Sequence, residues 1–234
     1  MRMCFRAGMI AALVLLPAIA WAQIAPAAKP ADAPPSAAAP QPATPAEQAH
    51  VDGFRSAKWG MIDAQVKAAI RADFNIADDK IKHTENLAEK TQVLTIAVPD
   101  LLEGAGMAQV SYIFGYTSKK LIQVNALWGT AADPQATPDK IVAAADQLRL
   151  LFLDSGYDPA TVTANAKMAD GSILVFQGQD SDKHTTLLRL AAGATTPPAK
   201  DGKPGKPVEV TALSLSYILD AREPDIYRVK KGLF

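Results

Sequence analysis

Three histidines set the ceiling on acid–base chemistry in this chain. Nucleophilic catalysis needs a nucleophile, a base and an orienting acid brought together, and the only imidazole bases are His50, His83 and His184. His50 closes an Ala/Pro-rich stretch, and His83 sits in the polar run Lys80-Ile81-Lys82-His83-Thr84-Glu85. His184 lies where a turn meets a strand pattern. Solvated surface positions are expected for all three.

The sharpest local constellation is Asp180-Ser181-Asp182-Lys183-His184, whose carboxylates and imidazole have the donor atoms for a divalent ion. It lacks the glycine and distal glutamate of a calcium loop, and its spacing fits no zinc site. The same residue types make the internal hydrogen bonds of a turn, which is the expected use. Asp78-Asp79 reads as an acidic pair where a helix gives way to a loop. Gly104-Ala105-Gly106 precedes a strand, whereas a dinucleotide-binding glycine run follows one and opens a helix. Trp59, Trp128, Tyr112, Phe114 and Tyr116 have the rings of a sugar platform, but their strand and helix-entry positions point to core packing. No catalytic residue, metal ligand or cofactor site is therefore expected.

The elements that position these residues come after a leader. Arg2 and Arg6 precede an uncharged stretch from Ala7 to Ala22, and Ala20-Trp21-Ala22 supplies small residues for cleavage. This is the pattern of a secretory signal over residues 1–22, leaving Gln23 first. The sixteen uncharged residues, interrupted by Pro17, fall short of the ~20 needed to span a bilayer. Cys4, the only cysteine, precedes the apolar run, so it is not placed for lipidation and leaves with the signal. Loss of Arg2 and Arg6 from 24 basic and 24 acidic residues gives a net charge of −2, which offers no bulk attraction to nucleic acid. A periplasmic protein with no stable membrane insertion after cleavage is expected.

Residues 23–50 hold eleven alanines and seven prolines and cannot build a core, so a disordered lead is expected there. A single domain should then occupy residues 51–234. Ile62, Val66, Ile70 and Phe74 recur every fourth residue, predicting an amphipathic helix over Met61 to Phe74. Strand patterns follow at Gln92 to Val98, Ala108 to Tyr116 and Leu121 to Trp128, the last two joined by a hairpin at Thr117-Ser118-Lys119-Lys120. A second helix starts with Thr137 as cap and Pro138 in the first turn, buries Ile141, Ala144, Leu148, Leu151 and Phe152, and stops at Gly156. Strands are again expected at Ile173 to Gln177, His184 to Leu190 and Val208 to Leu219. Residues 191–207, with four prolines and three glycines, should form a mobile loop.

The expected fold class is α+β. Two α-β-β-β units, over about 51–130 and 131–234, form either one antiparallel sheet with two helices packed on one face or two packed subdomains.

Phe54-Arg55-Ser56-Ala57-Lys58-Trp59-Gly60-Met61 with Ala64-Gln65-Val66 resembles the opening of a group of uncharacterised exported proteobacterial proteins. The αβ architecture is similar to that of small outer-membrane assembly lipoproteins and β-lactamase inhibitor proteins, though the lipidated cysteine of the former is missing. That resemblance implies a protein-binding role.

The sheet face opposite the helices is the candidate surface. Gln109 and Ser111 alternate with Val110 and Tyr112, Gln123 and Asn125 with Ile122 and Val124, and Ser214 and Ser216 with Leu213 and Leu215. Gln109, Ser111, Gln123, Asn125, Ser214 and Ser216 are thus the expected partner-binding residues, for another envelope protein or a glycan. The function expected is that of a periplasmic binding or protein-interaction module without catalytic activity. The rival readings are a hydrolase of envelope material with an unidentified carboxylate site, and a scaffold anchored by an uncleaved signal.

Overall fold

A computed structural model describes residues 48–195, 208–229 and 232. The signal and nearly all of the lead lie outside the described residues, as do residues 196–207. Gln48, Ala49 and His50 belong with the folded part, a correction to the expected start at residue 51. Ala49 is buried and its amide donates to the Gly156 carbonyl at 3.0 Å.

A two-stranded ribbon, β1 (Gly53–Phe54) and β2 (Ala57–Lys58), leads into helix α1 (Asp63–Phe74). Ile62 was expected on the buried stripe of this helix but is half exposed. It sits before the first turn in extended conformation, bridged to Lys120, so it never joins the helical face. The Gln65 side chain accepts the Ile62 amide at 3.1 Å, and Asn75 ends the helix with φ 53°. Val66, Ala69 and Ile70 face inward.

Four strands follow where three were expected: β3 (Lys82–Asn86), β4 (Thr91–Val98), β5 (Ala108–Phe114) and β6 (Leu121–Gly129). The β5 strand stops at Phe114, and Tyr116 lies in the hairpin instead of on the strand. Its ring meets Tyr227 edge-on at 5.5 Å.

Helix α2 (Pro138–Leu153) buries Ile141, Ala144, Ala145, Leu148 and Phe152. Leu151 corrects the expected face, being 58% exposed. Thr137 occupies the cap position in extended conformation but makes no side-chain cap bond.

The second unit also has four strands: β7 (Thr163–Lys167), β8 (Ile173–Gln179), β9 (Thr185–Thr195) and β10 (Val208–Ile218). The expected loop 191–207 starts too early. Residues 191–195 pair with β10, down to Thr195 opposite Val208, because a ladder needs backbone groups and tolerates small side chains.

Each unit is therefore α-β-β-β-β. All eight long strands form one antiparallel sheet in the order β3-β4-β5-β6-β10-β9-β8-β7, with both helices on one face. The last strands of the two units pair at the centre, where Trp128 faces Leu213 and Asn125 faces Ser216. The core lies between sheet and helices, with Leu94, Ile96, Val110, Tyr112, Val124, Trp128, Leu188 and Leu213 buried against Val66, Ile70, Ile141 and Phe152.

Candidate functional site

Strand pairing brings all six expected residues onto one face of three adjacent strands. Across the sheet, Thr95, Ser111, Asn125, Ser216, Leu187 and Gln177 form one row. Val93, Ile113, Gln123 and Ile218 form the next, and Ala97, Gln109, Leu127, Ser214 and Arg189 the third. With strands about 4.8 Å apart, the eight-stranded face is roughly 35 Å across.

The surface is less uniformly polar than expected. Partly exposed Ile113, Leu127 and Ile218 interleave with the Gln, Asn and Ser positions. The polar groups bond along the face: Gln123 Nε2 donates to Asn125 Oδ1 at 2.8 Å, and the Thr95 and Ser111 hydroxyls are 3.2 Å apart. Within these three rows, β5, β6 and β10 contribute no charged side chain.

At one end of the sheet, the turn between β8 and β9 is built on Asp180, whose side chain is fully buried. Its Oδ1 accepts the amides of Asp182 at 3.0 Å and His184 at 2.8 Å. Its Oδ2 accepts the Val51 amide at 2.8 Å and lies 3.0 Å from His184 Nδ1. A carboxylate accepts and does not donate, so the contact is an Nδ1–H of His184 donating to Asp180. His50 Nδ1 approaches Asp182 Oδ2 at 3.4 Å, and one donor atom each of His50, Asp180 and Asp182 falls within 4.8 Å of the others. That grouping has the donor types of a metal site. Both Asp180 oxygens, however, are already engaged by two N–H groups each, so this carboxylate is committed to joining the turn to the N-terminal segment.

The approach of His50 carried no local sequence signal, because its partner is more than a hundred residues away. Trp59 belongs to the same junction: its indole N–H donates to the Val51 carbonyl at 2.7 Å, and its ring centroid lies 6.1 Å from that of His184.

The other candidates are surface or core features. Asp78 pairs with Arg71 at 2.7 Å and Asp79 with Lys80 at 3.6 Å. His83 is exposed on β3, 3.9 Å from Asp63. The Gly104–Gly106 loop is closed by Asp133, which accepts the Met107 amide at 3.2 Å; the amides of Gln135 and Met107 hold its carboxyl below the usual range. Tyr112, Phe114 and Trp128 are buried as expected.

After Ile218 the chain crosses the strand ends. The Leu219 amide donates to Ile122, Asp225 accepts the Thr117 and Ser118 amides at 2.9 and 2.8 Å, and the Tyr227 amide donates to Glu89. Partial burial pushes the Asp225 carboxyl up, but the hydrogen bonds from Ser118 and Thr117 outweigh it and bring the pKa down to about 2. No helix of the described residues is long and apolar enough to cross a membrane. Compared with family models, curated proteins and solved structures, the chain matches none.

Proposed function

We propose that this chain is an exported, non-catalytic interaction module that captures an envelope protein on the open sheet face. The observation that carries the reading is the composition of that face. Its three central strands present short polar and aliphatic side chains without a charge, and charge depletion is the mark of an interface centre. A partner burying this surface need not strip water from ions.

Export is the other half of the reading and rests on the signal pattern at residues 1–22. The periplasmic form should have the intact mass of a chain beginning at Gln23; a mass that retains Met1 would sink cleavage and favour an anchored scaffold.

Docking is tested by replacing Gln123→Glu and Asn125→Glu together. Both side chains are solvent-accessible, so the variant should stay folded, melting somewhat lower because it loses the Gln123–Asn125 hydrogen bond and sets two carboxylates side by side. It should lose the partner that the wild-type chain retains stoichiometrically from periplasmic extract, through buried unpaired charge. Undiminished capture by the folded variant would remove this face as the site.

A further inference from the structure

On the helix side of the sheet, remote from the docking face, lies a cleft of about 820 Å³ beside the end of α2. Its floor is aromatic. The Phe54 and Tyr217 rings stack with centroids 5.9 Å apart and planes at 29°, and Phe152 meets Tyr217 edge-on at 6.5 Å. Tyr157 turns its hydroxyl inward to Thr186 Oγ1 at 2.7 Å, leaving that wall apolar.

Arg55 and Asp154 are the charged side chains on the rim, with His50 beside them. His50 is turned toward Asp182, whereas Arg55 makes no ion pair among the described residues, and its guanidinium sits 4.7 Å above the Phe74 ring.

The backbone under Arg55 gives the second observation. Arg55 and Ser56 are the two residues linking β1 to β2, and Arg55 takes φ 54°, a left-handed conformation that glycine adopts without cost and arginine does not. The turn is held there from both sides. Asp73 accepts the Ser56 amide at 3.0 Å and its hydroxyl at 2.6 Å, and a Cβ on Gly53 would lie 2.0 Å from the Ala57 carbonyl oxygen. Other non-glycine residues among those described take a similar φ, but Arg55 is the one whose side chain lines this cleft, and clefts are where small ligands bind.

We propose that this cleft binds a small carboxylate with a flat apolar body, its ring against Phe54 and Tyr217 and its carboxylate on the Arg55 guanidinium. Arginine suits this role because its planar donors match a carboxylate in pairs. The site is independent of the docking face.

The test is an NMR titration of the exported chain with 3-phenylpropionate and with its neutral analogue 3-phenylpropan-1-ol. The acid should give saturable shifts at Phe54, Arg55 and Tyr217 and bind about tenfold tighter than the alcohol, as expected for one charge-assisted contact. Arg55→Gly should melt no lower than wild type, since glycine relieves the strain, yet bind acid and alcohol equally. Tyr217→Ala should weaken both ligands. Absence of saturable shifts with the acid, equal binding of the two probes by wild type, or an acid preference surviving in Arg55→Gly would each overturn the proposal.

Discussion

Asp180 shows how one buried carboxylate can set the geometry of distant segments. Its four N–H partners include Val51, 129 residues earlier in the chain, so it fastens the N-terminal segment to the β8–β9 turn. Asp180→Ala strands those donors and should lower stability by roughly 2–4 kcal/mol in urea unfolding. Asp180→Asn should cost nearly as much, because its amide group would point a donor at donors. The sequence showed the local half of this residue's work, since Asp, Ser and Lys are turn formers; the bond to Val51 depends on a tertiary path that no spacing encodes. Asp225 makes the complementary pH prediction. Its folded pKa of about 2 lies below the ordinary 3.8, so its contribution is fully present above 3.8 and is lost as the pH falls through about 2. Asp225→Asn should therefore narrow the gap between denaturant midpoints at pH 7 and pH 2.

At the level of elements, apolar alternation located the six strands that bury side chains and missed the two that do not. The β3 sequence Lys-His-Thr-Glu-Asn is exposed throughout, and β7 reads Thr-Ala-Asn-Ala-Lys. An outer strand pairs on one side only, and polar residues there discourage pairing with other chains, so both lack the hydrophobic signature. Within α2 the periodicity located the helix but put Leu151 on its inner face where Ala145 belongs. Leu148→Ala should cost about 2–4 kcal/mol, whereas Leu151→Ala should stay within about 0.5 kcal/mol, measured by the same denaturant titration. Gly129, at the end of β6, tests the central pairing. It takes φ 118°, and a Cβ there would lie 2.0 Å from the Thr211 carbonyl oxygen on β10. Gly129→Ala should therefore destabilise by at least about 2 kcal/mol.

For the whole molecule, the repeated order of helix and strands was legible, but the choice between one sheet and two subdomains was not. That choice is made by β6 pairing with β10, two segments that look like ordinary half-buried strands in isolation. Because the pairing makes the sheet continuous, far-UV circular dichroism and the fluorescence of Trp59 and Trp128 should report coincident unfolding midpoints; separated midpoints would mean that the halves melt independently. The central pairing has a further meaning. Two like units that meet through their last strands, antiparallel and with both helices on the same side, are arranged as the subunits of a two-fold homodimer would be. Here a single polypeptide carries both subunits, so neither is bound to repeat what the other does. The second and third long strands are joined by the Asp180 turn in one half and by the loop that Asp133 closes in the other. A true homodimer would have to make every such change twice, once on each side of its axis; this chain can specialise one side alone.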